Sequence, residues 1–252
     1  METRPLVSVI MPCYNMERFI AESMDSVRQQ TFPHWELLIV DDHSTDHTVD
    51  QIKPYTEQDE RIKLLVKDHH SGIADSRNQA IQMAQGRFLA FLDADDLWHP
   101  EKLEVQLDFM KRRSVGFSYS SYECVDENSI PMGKVVMAVN DLKYESYLRN
   151  TVIGCSTVMI DRTLVGEVTV PDFRTSEDTA TWLTLLKKGF LAYAIQQVLV
   201  SYRIRKKSAS SNKWKASSDL WRVYRDHERL PFFKAVFYFC SYAVHALKKH
   251  LF

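Results

Sequence analysis

Three carboxylates follow a short apolar run in the segment FLDADDLW, residues 91–98. They are Asp93, Asp95 and Asp96, and the first two project to the same side of an extended backbone because they are two residues apart. This many negative charges at the end of a buried strand are costly unless a cation or hydrogen-bond donors compensate them. Paired carboxylates at the carboxyl end of a parallel strand suit a divalent metal that holds a diphosphate, which predicts sugar-nucleotide chemistry.

Helix capping is the structural alternative for these aspartates, since Asp95 or Asp96 precedes a helix that is predicted to begin near Pro100. Capping accounts for one aspartate but not for three within four positions. A calcium-binding EF-hand loop does not fit, because Leu97 stands two residues beyond Asp95 and no Gly/Glu pattern follows.

Two further acidic pairs fall at the ends of predicted elements. Asp41 and Asp42 end the second strand, where one carboxylate can accept the imide N–H of uracil while the other caps the following helix. Glu177 and Asp178 open a helix, where the helix dipole alone favours acidic residues. The functional alternative for this second pair is a general base at the rim of a pocket.

The elements that must position these side chains alternate regularly over the first ~120 residues. Strands are predicted for residues 6–11, 35–40, 62–66 and 87–92. Helices are predicted for residues 17–30, 45–58 with an interruption near Pro54, 75–85 with Gly86 as the stop, and 100–113. This βαβα order predicts an α/β fold with a mainly parallel, doubly wound sheet, whose ligands bind outside the carboxyl ends of the strands.

The pattern is weaker after about residue 120. Strands are predicted for residues 152–160 and 190–200, and a helix for residues 177–188 between them. A basic, serine-containing loop over residues 202–215 leads to two final helices, predicted for residues 216–228 and 231–249.

Charge is distributed unevenly along the 252 residues, although the net charge is only −1. Residues 203–252 hold twelve Lys/Arg and three Asp/Glu, whereas the rest of the chain holds twenty and thirty. A basic tail on an acidic body predicts an anionic partner, and both nucleic acid and the anionic face of a membrane qualify.

Cysteine and glycine usage excludes several other classes. The four cysteines are scattered without a CxxC pair, which argues against zinc sites and a disulfide framework and favours a reducing cytosol. They are Cys13, Cys124, Cys155 and Cys240. Residues 1–5 lack the apolar stretch of a signal peptide. No GxGxxG follows the first strand, which argues against a dehydrogenase.

Residues 232–247 of the tail are mostly apolar and aromatic, with basic residues at both ends. The stretch is too short, and too interrupted by Ser241 and His245, for a membrane span of about 20 apolar residues. An interfacial helix on a membrane surface fits the pattern. Packing against the rest of the chain or against another subunit is the alternative.

Six motifs occur in a fixed order along about residues 6–213: VSVIMPCYN (7–15), VDDHSTDHT (40–48), SGIADSRNQAI (71–81), FLDADDLW (91–98), SEDTATWLTLLKKG (176–189) and SYRIRKKSASSNK (201–213). Together they resemble the inverting glycosyltransferases of family 2, which have the GT-A fold. The segment LWRVYRDHERLPFFKAVFYF (220–239) is similar to members that build bacterial surface polysaccharides and teichuronic-type polymers.

The resemblance implies a GT-A catalytic domain over residues 1–215 and an amphipathic helical tail over residues 216–252. The nucleotide-binding half would cover about residues 1–97 and the acceptor half about residues 98–215. Tyr14 would lie against the uracil of a UDP-sugar, and Asp42 would hydrogen-bond this base. Arg77 would reach the base or the ribose, and Asp93 would lie near the ribose. The implied UDP-sugar-binding residues are Pro12, Tyr14, Asn15, Asp42, Arg77, Asp93 and Arg205.

The resemblance also implies the chemistry. Asp95 would be the principal ligand of Mn²⁺ or Mg²⁺. Asp178 would be the catalytic base, which deprotonates an acceptor hydroxyl as that oxygen attacks the anomeric carbon from the face opposite UDP. A single displacement of this kind converts an α-linked donor into a β product, and a positioned base typically contributes ~10²–10⁴-fold.

The chain departs from the family pattern at two positions. Many relatives have glycine or asparagine where His43 stands, and histidine tolerates a left-handed backbone less easily than glycine. Many relatives have histidine where Arg205 stands, and histidine can ligate a metal whereas arginine cannot. Arg205 can instead pair with the diphosphate.

The resulting hypothesis is a hexosyltransferase that uses UDP-Glc or UDP-Gal and extends an undecaprenyl-diphosphate-linked sugar in O-antigen-like (lipopolysaccharide) surface polysaccharide assembly. We expect it in the cytoplasm, peripherally attached to the inner membrane through residues 216–252, with no nucleic-acid partner. A nucleic-acid-binding protein that uses the basic tail is one alternative. Another is an inactive or non-enzymatic relative that binds glycan or nucleotide. The first alternative leaves Asp42, Asp95 and Asp178 without a purpose, and the retention of all three aspartates argues against the second.

Overall fold

The computed structural model describes residues 5–138, 140–173, 175–206 and 213–251. Within these residues nine strands belong to one sheet: β1 (Val7–Cys13), β2 (Trp35–Asp41), β3 (Ile62–Val66), β4 (Phe88–Phe91), β5 (Leu97–Trp98), β6 (Phe117–Val125), β7 (Pro131–Val136), β8 (Val158–Asp161) and β9 (Tyr193–Arg203). Their order is β3-β2-β1-β4-β8-β6-β9-β5, and β7 pairs with β6 beside this row.

The helices in the described part of the chain pack on both faces of this sheet. They are α1 (Ile20–Arg28), α2 (Thr48–Gln58), α3 (Ile73–Met83), α4 (Lys102–Arg113), α5 (Tyr144–Arg149), α6 (Arg162–Val165), α7 (Glu177–Lys187), α8 (Lys213–Arg222) and α9 (Phe232–Leu251). A 3₁₀ turn precedes β8 at Cys155–Thr157, and a π-helical turn links α8 to α9 at Val223–His227.

The N-terminal half is the parallel, doubly wound sheet that the sequence predicts. β1 pairs in parallel with β2 and β4, and β2 pairs in parallel with β3. β1 and β2 are buried along their whole length, as expected for parallel strands with helices on both faces. Val9 packs in one apolar cluster with Met24 of α1, while Ile10 packs in the opposite cluster with Ala80 of α3.

The second half of the sheet is mixed and contains three strands that the sequence analysis did not predict, β5, β6 and β7. β6 runs antiparallel to β8 and β7 but parallel to β9. Its sequence, FSYSSYECV, resembles a polar loop, yet its serines are buried and most are hydrogen-bonded by distant partners. Gln106 donates to Ser118 Oγ at 3.1 Å, and Ser121 Oγ donates to the carbonyl of Gln196 at 2.9 Å.

Three local predictions were wrong. The strand predicted for residues 152–160 begins only at Val158, because residues 155–157 form a 3₁₀ turn. Pro54 does not interrupt α2. A proline removes only one backbone hydrogen bond from the helix, and the buried Ile52 keeps the helix packed. Gly86 does not end α3, which stops at Met83. A Cβ atom at residue 86 would lie 2.7 Å from the amide nitrogen of Ser8, so glycine permits close approach to β1.

The C-terminal helices pack against neighbouring helices: α9 contacts α5, and the π-helical turn before it contacts α7. Tyr224 is fully buried and donates a hydrogen bond to the carbonyl of Leu148 at 2.7 Å. Ala235 and Tyr238 of α9 are buried in the same apolar cluster. Among the described residues, no helix combines the length and the apolarity needed to cross a membrane.

Candidate active site

A cavity of about 860 Å³ opens at the carboxyl ends of β1, β2 and β4. It is lined by all nine residues that the sequence analysis proposed for donor binding, metal binding and proton abstraction: Pro12, Tyr14, Asn15, Asp42, Arg77, Asp93, Asp95, Asp178 and Arg205. The parallel strands explain the convergence, because their carboxyl ends meet at one edge of the sheet. The individual roles of these residues remain predictions.

The loop after β1 presents Tyr14 at the cavity rim. Its side chain is exposed, and its ring centroid lies 4.3 Å from that of His70. Asn15 has a left-handed backbone, with φ of 54°, and its side-chain oxygen accepts a hydrogen bond from the Thr45 amide at 2.8 Å. Asn15 therefore joins the loops after β1 and β2, in addition to lining the cavity.

The two aspartates at the end of β2 have different environments. Asp41 accepts hydrogen bonds from the amide and the hydroxyl of Ser44, so it closes the turn that follows the strand. It does not cap α2, which begins only at Thr48. His43 stands in this turn with φ of 65°, and its Nδ1 lies 3.2 Å from the carbonyl oxygen of Lys67. His43 therefore adopts the left-handed backbone conformation at the position where many relatives have glycine or asparagine.

Asp42 faces the cavity and organises the loop that precedes α3. Its oxygens accept hydrogen bonds from the amides of Ser71, at 3.0 Å, and Gly72, at 2.8 Å. They also pair with Lys67 Nζ at 2.5 Å and His70 Nδ1 at 2.8 Å. Burial acts to raise the pKa of Asp42, but the bonds from Lys67 and the two amides outweigh it and hold the pKa below its usual value. The carboxylate is therefore ionised.

Arg77 is buried in the wall of the cavity and pairs with acidic residues from two distant segments. One terminal nitrogen lies 2.5 Å from an oxygen of Asp93, after β4, and the other lies 2.5 Å from an oxygen of Glu177, at the start of α7. Its Nε has no hydrogen-bond partner among the described residues. The ion pair with Glu177 is a feature that sequence reasoning missed, since the two residues are 100 positions apart.

Glu177 and Asp178 occupy the first turn of α7, as predicted. Burial raises the pKa of Glu177 to about 7, with Arg77 opposing this change and Asp178 adding to it. Burial also raises the pKa of Asp178, again against the effect of Arg77. Asp178 Oδ1 accepts a hydrogen bond from the Thr179 amide at 2.6 Å. A positioned carboxylate whose basicity is increased in this way suits general-base chemistry.

The aspartates after β4 divide into one structural residue and two that face the cavity. Asp96 is buried and accepts hydrogen bonds from Ser156 Oγ at 2.5 Å and the Arg203 amide at 2.9 Å. Neither Asp95 nor Asp96 caps α4, which follows Glu101, so the capping alternative was wrong. Asp95 lies in the cavity with Oδ2 at 2.5 Å from Arg205 Nε.

A divalent metal at this site would depend on few protein ligands. Within the described ranges, no group of three or more His, Cys, Asp or Glu side chains could hold a metal ion. Mg²⁺ is usually bound through one or two carboxylates together with substrate phosphates, and it keeps several waters. Asp95, with Asp93 beside it, fits a hard metal of this kind that shares its coordination with a diphosphate.

Several cavity residues had no assigned role in the sequence analysis. His70 lies directly before the motif SGIADSRNQAI, so its position was a usable signal. Phe173 and Thr175 line the side of the cavity near Asp178, and no sequence signal pointed to them. Helix packing places them there: the Phe173 ring lies edge-on to His227 at 5.8 Å, and Thr175 donates a hydrogen bond to Asp219 at 2.6 Å.

Comparisons with known sequences show which family the chain resembles. Residues 8–160 match the family model described as Glycosyl transferase family 2. The Bacillus subtilis (strain 168) protein named "Putative teichuronic acid biosynthesis glycosyltransferase TuaG" is 49% identical over 248 residues, which cover 98% of each chain. The Escherichia coli UDP-Glc:alpha-D-GlcNAc-diphosphoundecaprenol beta-1,3-glucosyltransferase WfgD is 41% identical over 248 residues, covering 98% of this chain and 96% of WfgD.

Solved structures share the fold at lower identity. TarS of S. aureus, residues 1–349 in complex with UDP-GlcNAc, superimposes with a TM-score of 0.70 at 22% identity over 87% of this chain. The mannosyltransferase PcManGT of Pyrobaculum calidifontis, in complex with GDP-Man and Mn²⁺, gives 0.69 at 21% identity over 91%. The chain spans 64% and 66% of the length of these two structures. The likeness confirms the predicted GT-A fold class.

Proposed function

The chain belongs to glycosyl transferase family 2, and from this membership we propose that it is an inverting hexosyltransferase. It transfers glucose or galactose from a UDP-sugar to a lipid-diphosphate-linked sugar during assembly of a bacterial surface polysaccharide. The observation that carries the proposal is the convergence of Asp42, Asp95 and Asp178, from three distant segments, in one cavity.

The donor binds in the half of the cavity formed by the loops after β1, β2 and β4. Tyr14 offers an exposed aromatic face for the uracil, and the loop that Asp42 orders forms the wall beside it. Asp93 and Arg77 form an ion pair in the same cavity, and we assign Asp93 to the ribose and Arg77 to the base or the ribose. Two relatives support this donor class, because WfgD is named a UDP-Glc-dependent enzyme and TarS was solved with UDP-GlcNAc.

Transfer takes place between the donor half and α7. Asp178 accepts the proton of the acceptor hydroxyl as its oxygen forms a bond to the anomeric carbon. The bond from that carbon to UDP breaks on the opposite face, and the electron pair leaves with the diphosphate. The product linkage is β when the donor is α-linked. Mn²⁺ or Mg²⁺ held by Asp95 would neutralise the departing diphosphate.

The acceptor enters on the side of Phe173 and Thr175, next to Asp178. WfgD is named for transfer to alpha-D-GlcNAc-diphosphoundecaprenol, and 41% identity over nearly the full length supports a similar acceptor for this chain. We assign the acceptor to the class of undecaprenyl-diphosphate-linked sugars. Residues 1–215 then form the catalytic domain, with the division near residue 97 separating the donor half from the acceptor half.

A lipid-linked acceptor requires the enzyme to work at a membrane, and α9 offers a suitable surface. Phe232, Phe233 and Phe237 are exposed, with Phe233 at 85%, and Lys234 is exposed between them. Aromatic rings with a neighbouring cation suit the interface of an anionic bilayer. We infer peripheral attachment through residues 216–252 to the cytoplasmic face of the inner membrane.

A donor screen tests the proposed reaction. The protein is incubated with radiolabelled UDP-sugars, Mn²⁺ and a synthetic GlcNAc-diphospho-lipid, and the linkage of the product is analysed. We expect transfer from UDP-Glc or UDP-Gal, with loss in Asp178→Asn and no change in the matched variant Asp50→Asn on exposed α2. UDP binding without transfer from any donor would instead favour an inactive relative.

Flotation with anionic liposomes tests the membrane surface. Phe233→Ser should move the full-length protein from the lipid fraction to the soluble fraction. Ile130→Ser removes another exposed apolar side chain, from the loop before β7, and should leave partitioning unchanged. Equal flotation of wild type and Phe233→Ser would exclude this face of α9 as the attachment surface.

A further inference from the structure

Arg205 follows β9 and reaches into the cavity beside the predicted metal ligand. Its side chain is 16% exposed, and Nε lies 2.5 Å from Oδ2 of Asp95. This Nε has no hydrogen-bond partner of acceptable geometry among the described residues. The contact is therefore a close ion pair without an aligned N–H···O bond.

Arg203, two residues earlier, has a different environment. It is buried and its guanidinium is held by several groups, including Glu22 at 2.7 Å, the carbonyl of Asp95 at 2.7 Å and Ser129 at 2.9 Å. Such a network fixes Arg203 as a structural residue. Arg205, by contrast, faces the cavity and depends on one carboxylate for its ion pair.

A metal and Arg205 compete for Asp95. Two cations on one carboxylate repel each other strongly in a partly buried site. A metal that arrived alone would have to displace the guanidinium and leave it unpaired, which is costly. A diphosphate changes this balance because its oxygens match the planar fork of an arginine and also coordinate a metal.

We propose that Arg205 blocks Asp95 until a nucleoside diphosphate binds. The diphosphate draws the guanidinium away from Asp95 and thereby frees the carboxylate for the metal. Binding of diphosphate and metal is then positively coupled through an exchange of one ion pair. This inference rests on the proposed function, since it assumes a nucleoside diphosphate in the cavity.

Manganese binding without nucleotide tests the block directly. MnCl₂ is titrated into the full chain and free Mn²⁺ is followed by electron paramagnetic resonance. We expect Arg205→Gln to bind Mn²⁺ about 5- to 150-fold more tightly than wild type, the usual range for coupled sites. Adding Asp95→Asn to this variant should abolish the gain. Circular dichroism confirms that each variant is folded.

Calorimetry with UDP in the presence of EDTA measures whether Arg205 contributes to nucleotide binding when no metal is present. Arg205→Gln should bind UDP more weakly than wild type when no metal is present, because a diphosphate contact is lost. Arg18→Gln is the matched control for both titrations. Its guanidinium lies 5.2 Å from the ring of Phe19, which Arg205 also contacts at 5.5 Å, but it pairs with Glu127 outside the cavity.

Equal Mn²⁺ affinity of wild type and Arg205→Gln would overturn the proposal, as would the absence of measurable Mn²⁺ binding by both. The manganese titration needs neither donor nor turnover, so its outcome is independent of the donor screen. A negative screen with a positive titration would overturn the proposed reaction and leave the ion-pair exchange standing.

Discussion

Replacing Glu177 by glutamine probes the electrostatics of the cavity, because this buried glutamate lies beside both Arg77 and Asp178. Burial raises its pKa from 4.5 to about 7, with Arg77 opposing the change. The folded protein therefore holds this proton more tightly than the unfolded chain. The associated stability is complete below about pH 4.5 and is lost as the pH rises through about 7. At about 1.4 kcal/mol per pKa unit, the loss reaches about 3 kcal/mol.

Glutamine resembles the protonated side chain and cannot ionise, so Glu177→Gln should not show this loss. The assay is urea unfolding of both proteins from about pH 5 to about pH 8, with the free energy of unfolding extrapolated to water. Relative to the variant, wild type should lose about 2–3 kcal/mol across this range, because part of the loss already occurs below pH 5. Glu57→Gln, on the exposed side of α2, should follow wild type. Parallel pH profiles for wild type and Glu177→Gln would refute the reasoning.

Four further substitutions address the site and the fold. Asp178→Asn should keep UDP binding, measured by calorimetry, and lower turnover by about 10²–10⁴-fold; near-normal turnover would disprove the base assignment. Asp95→Ala should make UDP affinity insensitive to Mn²⁺, and a persisting difference between Mn²⁺ and EDTA would place the metal elsewhere. Tyr14→Ala should weaken UDP binding about 5- to 150-fold through lost stacking but leave inorganic diphosphate binding unchanged; equal losses for both ligands would contradict stacking. Gly86→Ala should lower the free energy of unfolding, measured by urea denaturation, by about 1–3 kcal/mol, since its Cβ would lie 2.7 Å from the Ser8 amide nitrogen. An unchanged free energy of unfolding would show that β1 can shift to make room for the Cβ atom.

Local pattern was sufficient to predict the parallel strands. The predicted segments 35–40 and 62–66 agree with β2 and β3 to within one residue, and helix 100–113 agrees with α4 to within two. Continuous apolar runs, flanked by turn residues and helical periods, leave few alternatives for such segments. The strand β6 could not be found in this way. Its buried serines are tolerated because several have partners elsewhere in the chain, such as Gln106 and Gln196.

The candidate site was predictable as a set of residues but not as a set of contacts. Parallel strands bring Tyr14, Asp42 and Asp95 to one edge of the sheet, so their shared cavity follows from topology. The same argument says nothing about α7, whose approach depends on packing of the second half. Asp178 was assigned through family resemblance, and the structure places it in the same cavity.

The amino-acid sequence by itself determined the fold class, the family and nine of the residues that line the cavity, because hydrophobic periodicity and ordered motifs are local properties. Tertiary structure decided which charges pair. Arg77 joins Asp93 to Glu177, and Arg205 covers Asp95, across separations of 16, 100 and 110 positions respectively. The energy of an ion pair depends on distance and burial in space, and the spacing of residues along a chain specifies neither.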